Sequence, residues 1–143
     1  MVIVNSIFTR RSIRKYLNKE VDNSIIEQLL KAAMQAPSAG NQRPWEFIVV
    51  REKELLNQLG LVSPYSGPGK ESNVAIIVLG NLANETVKFP ECVQQDLAAA
   101  TQNILLQATE LDLGTVWLGV APVEERMEKV RSLFNLPQSI MPF

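Results

Sequence analysis

Apolar residues recur along this 143-residue chain with two periods, and polar or turn-forming residues separate the blocks. Ile25, Ile26, Leu29, Leu30 and Ala33 fall on one stripe of an amphipathic helix. Asp22 or Ser24 can cap that helix, and Ser24 with Glu27 has the capping-box spacing. Pro37 ends it, because the residue before a proline is pushed out of helical geometry. A longer stripe, carried by Leu97, Thr101, Ile104, Leu105, Ala108 and Leu111, predicts a helix over residues 91–113 with Gly114 as its stop. Shorter helices are expected over residues 6–10, over 52–59 before Gly60, and from Pro122 to residue 134. In the last of these Glu124 and Glu125 meet the positive end of the helix dipole and Arg131 the negative end, and Pro137 follows as a stop. Three short runs at 45–50, 74–79 and 115–120 are apolar and rich in β-branched residues, the signature of buried strands. The Pro- and Gly-rich stretch 62–72 reads as a loop.

Helices separate most of the strands, but no G-x-G-x-x-G follows the first strand and no G-x-x-x-x-G-K-S/T occurs anywhere, so neither a dinucleotide-binding fingerprint nor a phosphate loop is present. The pattern predicts an α+β layered sandwich, a small central sheet flanked by helices, with residues 1–143 as one domain. Apolar residues make up 46% of the chain and charged ones 20%, and no stretch approaches the roughly 18 uninterrupted apolar residues of a membrane span. The first five residues lack the basic flank and apolar run of a secretory leader, which makes the cytoplasm the expected location. With no His and a single Cys, Cys92, there is no material for a disulfide framework, a Cys/His zinc site, or a Ser-His or Cys-His nucleophilic pair. No catalytic side chain and no metal site are therefore assigned, and the chemistry is expected to come from a bound organic cofactor.

Two segments supply candidate ligands. Arg10, Arg11, Ser12 and Arg14 concentrate three guanidinium groups and a hydroxyl in a chain whose net charge is only −1. Planar, permanently charged forks match phosphate geometry; a solvated helix end with surface ion pairs would use the same residues. A nucleic-acid patch is disfavoured, because the isoelectric point is about 5.5 and no basic stripe extends the cluster. The second segment, Pro37, Ser38, Ala39, Gly40, Asn41, Gln42, Arg43, Pro44 and Trp45, has the composition of an ordinary loop. It also sets a glycine beside two carboxamides, which suits close approach to a flat ligand and bonding to its edge. Trp45 is expected in the core and Trp117 at a buried strand end, while Gly119 leaves room for a ring face. Ala98, Ala99 and Ala100 on the long helix allow close helix approach, either as an ordinary core helix or as part of an interface between two copies.

Taken in order, the segment from Arg10 through Arg14 to Tyr16, the turn from Pro37 to Trp45, and Gly114-Thr115-Val116-Trp117-Leu118-Gly119 resemble the nitroreductase family of FMN-dependent oxidoreductases along nearly the whole chain. The resemblance implies a homodimer with FMN at the subunit interface. It implies that Arg10, Arg11, Ser12 and Arg14 hold the flavin phosphate and ribityl chain, and that Pro37, Ser38, Ala39, Asn41 and Gln42 reach the flavin from the other subunit. Backbone at Leu118 and Gly119 would lie against the isoalloxazine ring. It further implies NAD(P)H as electron donor, a two-step exchange that passes electrons to nitroaromatic, quinone or similar acceptors, and no nucleic-acid or membrane partner. A flavin-binding protein without reductase turnover is the alternative. The 62–72 loop is expected to shape acceptor access. Family members usually continue past the position of Phe143 through a strand, a G-x-P turn and a tail, and without these the N-terminal cluster would carry more of the phosphate and the dimer would be weaker.

Overall fold

Strand β2 (Ala75–Asn81) lies in the middle of a three-stranded antiparallel sheet, between β1 (Trp45–Val50) and β3 (Ile140–Pro142), in a computed structural model that describes residues 5–143. Residues 1–4, read above for a leader, lie outside the described residues. Side chains of a strand alternate between faces, and here both faces are covered. Ile76 and Val78 of β2, with Trp45 and Phe47 of β1, pack against α2 (Asn23–Met34) and α5 (Val93–Glu110). Ile77 and Leu79, with Ile48 and Val50, pack on the opposite face against α3 (Lys53–Leu59) and α6 (Glu124–Phe134). The register places Phe47 opposite Val78 and Ile48 opposite Ile77, so cross-strand partners share a layer. Double coverage explains why β2 reads as an unbroken apolar run rather than an alternating one. The expected α+β sandwich is thus what the chain forms, a sheet between two helical layers. Among the described residues no helix is long and apolar enough to cross a membrane.

Local departures from the sequence reading have local causes. The expected third strand over 115–120 does not form. Thr115 makes a single parallel bridge with Ser12, and the place beside β2 is taken by Ile140–Pro142, whose register sets Pro142 opposite Leu79. Residues 116–120 reach the end of that strand instead, where the Val120 N–H donates to the Phe143 carbonyl at 3.0 Å. Trp117 is consequently 39% exposed rather than buried, leaning on Phe143 with ring centroids 5.3 Å apart. Trp45, partly buried, does pack on the core. Within the expected loop 62–72 a single helical turn forms, α4 (Pro68–Glu71).

Helix ends also differ. The first helix is one turn, α1 (Ser6–Thr9). Helix α2 begins after Asp22, whose side chain makes no capping bond, so the Ser24–Glu27 box is not used. Helix α5 starts at Val93 behind a 3-10 turn at Pro90–Cys92, and the left-handed residue that ends it is Asp112 (φ 57°), not Gly114. Helix α6 begins after Val123 with Glu124 and Glu125 in its first turn, and the left-handed Asn135 closes it ahead of Pro137. The stripe of α5 is spent inside the chain: Val93, Leu97, Ala100 and Ala108 are fully enclosed by α2 and the sheet. Each apolar side chain of the size of Leu97 contributes about 1.5–3 kcal/mol by such burial.

One buried polar network joins these layers. Asp96, in the first turn of α5 and 4% exposed, accepts the Ala39 N–H at 2.9 Å through Oδ1 and the Gln42 amide at 2.6 Å through Oδ2. Gln42, 1% exposed, also donates to the Phe89 carbonyl at 3.1 Å, and its Oε1 accepts the N–H groups of Lys88 at 3.1 Å and Phe89 at 3.0 Å. Placing Leu at this position (Gln42→Leu) keeps the bulk but strands these partners, each costing about 1–3 kcal/mol when buried and unpaired. We expect a loss of at least about 3 kcal/mol of unfolding free energy in urea titrations; a change below about 1 kcal/mol would contradict this account of the network.

Candidate functional site

The N-terminal arm reaches the site by a backbone seam. Beyond the bridge between Ser12 and Thr115, the Ile13 N–H donates to the Thr115 carbonyl at 2.8 Å. Gly114 makes this approach possible, since a Cβ there would lie 2.8 Å from Ile13 Cγ2 and 3.0 Å from its Cβ. The arm is pinned further along by Asn73, whose amide donates to the Leu17 carbonyl at 2.7 Å, and by Arg51, which donates to the Val21 carbonyl at 2.6 Å. The result is that Arg14 shares a cavity of about 350 Å³ with the 116–119 segment, including Leu118 and Gly119. A Cβ built on Gly119 meets no atom within 4 Å, so the space over that residue is open.

The other arginines of the cluster are placed less directly. Arg11 turns back to the end of α1, donating through Nη1 to the carbonyls of Phe8 and Arg10 at 2.9 Å each. Arg10 is half-buried at the same helix end, and Ser12 is exposed on the seam. The ion pairs among the described residues involve Lys129 and Arg131 with glutamates and none of Arg10, Arg11 or Arg14. Three guanidinium charges in one short segment are therefore left for something other than the chain's own carboxylates. That is chemistry suited to an anion.

The second candidate segment lies apart. Residues 37–42 line neither this cavity nor the adjoining apolar one of about 250 Å³, which opens along β2 under Trp117 and Phe143. The turn is held rigidly: Ser38 Oγ accepts the Arg43 N–H at 2.9 Å, and Asn41 and Arg43 adopt left-handed φ of 54° and 46°. Gly40, at φ 54°, sits under the Phe89 ring, whose nearest carbon would be 2.6 Å from an added Cβ. Pro37, Gly40 and Asn41 remain exposed, with Ser38 and Ala39 half-exposed. Gln42 is the correction. Expected to face a ligand, it has all its amide bonding consumed by Asp96, Lys88 and Phe89, and it is enclosed.

Three residues join the site without having been singled out in the sequence. Ser63 and Tyr65, from the loop expected to shape acceptor access, and Arg126, from the first turns of α6, line the same cavity as Arg14. Arg126 sits where periodicity reports only an ordinary helix charge. Asp96 is a further such residue, and an acid amid Val93, Leu97 and Ala100 on an apolar stripe is a legible sign of a buried polar partner. Tyr16 lines the apolar cavity and donates to the Ile13 carbonyl at 2.7 Å. Burial raises its phenol above the usual value of 10.0, with the Arg14 charge opposing. A raised folded value favours the neutral phenol, so its contribution to stability is complete below pH about 10 and is lost as pH climbs through the higher folded value. In a Tyr65→Phe variant, which leaves Tyr16 as the sole tyrosine, the tyrosinate absorbance of the folded protein should have its midpoint above that of the urea-unfolded chain. Coincident midpoints would refute the burial.

Comparison with known proteins accords with this geometry. The sequence profile described as the Nitroreductase family matches residues 7–66 and 65–142. A protein of Methanothermobacter thermautotrophicus named "Putative NADH dehydrogenase/NAD(P)H nitroreductase" is 48% identical over 143 residues, covering 100% of this chain and 74% of its own length. The crystal structure of a "Putative NADH Oxidase" from Clostridium acetobutylicum superposes with a TM-score of 0.93 at 50% identity, covering 96% of this chain and 82% of that one. An "FMN-dependent Nitroreductase" from Clostridium difficile gives a TM-score of 0.89 at 30% identity, with 98% and 82% covered. With one family profile spanning nearly every described element and full-length likeness at close to half identity, this chain belongs to the nitroreductase family.

Proposed function

We propose that this protein is an FMN-dependent oxidoreductase that takes electrons from NAD(P)H and delivers them to nitroaromatic, quinone or similar acceptors, working as a homodimer. The observation that carries this reading is the seam between the N-terminal arm and residues 114–115, which sets Arg14 in one cavity with the open backbone of Gly119. The solved relative described as an "FMN-dependent Nitroreductase" supports the choice of cofactor.

The residues present fit a phosphorylated flavin. Arg10, Arg11 and Arg14, none of them in an ion pair among the described residues, would take the phosphate and the polar chain, with the Ser12 hydroxyl as a further donor. Leu118 and Gly119 would present flat, unobstructed backbone to the ring. When bound, FMN supplies hydride acceptance from NAD(P)H and electron donation to the acceptor. The chain's own part is to fix the ring's position, exclude water with the apolar side chains that flank it, and bond its edge; no protein proton transfer is required.

What a single chain leaves undone supports the homodimer. Pro37, Ser38, Ala39 and Asn41 line neither of the two cavities described above, so a role at the flavin requires a second copy to bring them there. Ile7, Phe8 and Leu17 are 67%, 73% and 80% exposed, an apolar surface on α1 and the arm that calls for cover. Helix α5, considered above as interface material, is mainly committed to the core, with Val93, Leu97, Ala100 and Ala108 fully buried.

The direct test is optical. Purified protein reconstituted with FMN should be yellow, and its visible band should bleach anaerobically with NADH or NADPH and recover when a quinone is added. A yellow protein that does not bleach would reduce the reading to flavin binding, and failure to take up FMN would overturn it. Replacing Arg10 and Arg14 together by Ala should weaken FMN affinity about a hundredfold or more, since hydrogen bonds to charged groups contribute about 1.5–3 kcal/mol each. Gly119→Ala separates fold from function: its added methyl meets nothing within 4 Å. Thermal or urea stability should therefore shift by no more than about 0.5 kcal/mol, while flavin affinity falls about tenfold. Unchanged flavin affinity would place the ring elsewhere.

A further inference from the structure

Asp96 and Arg131 are the buried charged side chains among the described residues, and the flavin reading uses neither. Arg131 is explained by Glu124, Glu128 and the Ile140 carbonyl, through which it ties α6 to β3. Asp96 is in no ion pair among the described residues. Burying an acid is costly unless its oxygens are bonded, and both of them are given to one turn. Oδ1 takes the Ala39 N–H and Oδ2 the Gln42 amide, so a single carboxyl group spans the 3-10 turn Ala39–Asn41 from its first residue to the residue that follows it. On the outer side Ser38 Oγ accepts the Arg43 N–H at 2.9 Å and closes the same loop a second time.

The backbone held between these two clamps is of an unfavourable kind. Gly40, Asn41 and Arg43 have φ of 54°, 54° and 46°, and two of the three carry side chains. Left-handed backbone at such residues persists only where the surroundings over-determine it. Joining α2 to β1 does not need it, since ordinary type I turns reverse a chain without a left-handed residue. What the conformation provides is presentation. Ser38, half-exposed, keeps the hydrogen of its hydroxyl to donate, and Asn41 stands exposed beside it. Their inner anchor, Asp96, sits on α5 among Val93, Leu97 and Ala100, which are fully enclosed. The two polar groups are thereby referenced to the most rigid part of the molecule, the condition for binding a ligand without an ordering cost.

We propose that Asp96 is a positioning residue for the flavin site of the other subunit: from the core of its own chain it fixes the geometry in which Ser38 and Asn41 meet the partner subunit's cofactor. The inference rests on the flavin reading and on a site shared between two copies. In Asp96→Asn an N–H replaces one acceptor and meets the Gln42 amide, whose own oxygen is held by Lys88 and Phe89. FMN affinity, measured by fluorescence titration, should fall about tenfold or more, the scale of one well-made hydrogen bond. Asp96→Glu keeps both acceptors and moves them by a methylene, and it should show the same loss if Asp96→Asn does not fold. Val50→Ala, which opens the core of the opposite layer, should lower stability and keep wild-type FMN affinity.

Mixed dimers supply the readout that a purely structural role would not move. Arg10→Ala/Arg14→Ala damages a site through the arm of its own chain, and the Asp96 variant damages the site that its turn completes on the partner. Pairing the two subunits gathers both lesions into one site and leaves the other intact, so the mixed dimer should bind FMN with wild-type affinity at one of its two sites. Asn41→Ala, a lesion in the turn itself, is the reference. Recovery with Asn41→Ala and none with the Asp96 variants would overturn the inference and leave the shared site standing; recovery with neither would overturn both. Unchanged FMN affinity in the Asp96 variants, or an equal loss in Val50→Ala, would also overturn it. Wild-type protein that takes up no FMN would defeat the flavin reading and this inference with it.

Discussion

Burying both faces of Ala75–Asn81 obliges the chain to supply two helical layers, and most of the molecule's arrangement follows from meeting that demand. One layer is α2 with α5, the other α3 with α6, and the strand's odd and even side chains are divided between them. The connections between layers must pass around the sheet's ends. It is there that backbone not committed to the sheet or the helices collects: the arm from residue 10 to 22, the 114–120 segment, and the loop before β2. The candidate site is made from these pieces, held to one another and to the sandwich by hydrogen bonds.

Rigidity is distributed unevenly, in a way that suits binding. The turn at residues 37–42 is tied to α5 through Asp96 and to the Phe89 segment through Gln42, a network with every polar atom satisfied. Such a network costs little when complete and a great deal when broken, so it holds its residues in one geometry. The turn's outer residues are thereby presented stiffly rather than packed away. The arm is held differently, by the close contact of Ile13 on Gly114 and by the carbonyls of Leu17 and Val21, while among the described residues its arginines form no ion pair. Preorganised backbone with unspent side-chain charge is the arrangement that lowers the cost of capturing an anionic ligand.

Positive charge is also unusually local. The chain is nearly neutral overall, with 14 basic and 15 acidic residues. Arg131 satisfies Glu124 and Glu128 on α6 and ties that helix to β3 through the Ile140 carbonyl, and Lys129 pairs with Glu125. The acids of α6 are thus engaged by that helix's own cations, and Arg126 alone of its charges lines the cavity. Proximity of Arg14 and Arg126 without an intervening carboxylate gives the cavity its sign, and net charge gives no hint of it.

Much of the fold was legible in the amino-acid order because periodicity reports which faces are buried: the stripes of α2 and α5, the apolar runs of β1 and β2, and the stops at Pro37 and Pro137 are local properties of the chain. Residue chemistry likewise marks Arg10, Arg11, Ser12 and Arg14 as a set suited to an anion. What periodicity does not encode is partnership. The run at 115–120 has strand composition, yet only the packed molecule decides that Ile140–Pro142 takes the place beside β2 and leaves Trp117 partly exposed. An amide such as Gln42 can serve a ligand or a buried carboxylate equally well, and Asp96, 54 residues away, settles which. Arg126 entered the site for the same reason, since its contacts with Gly119 and Tyr65 join residues that local sequence leaves independent. Local order set the elements and the kinds of side chain on offer, and long-range contacts, which each side chain can make with only one of several plausible partners, selected which residues meet at the candidate site.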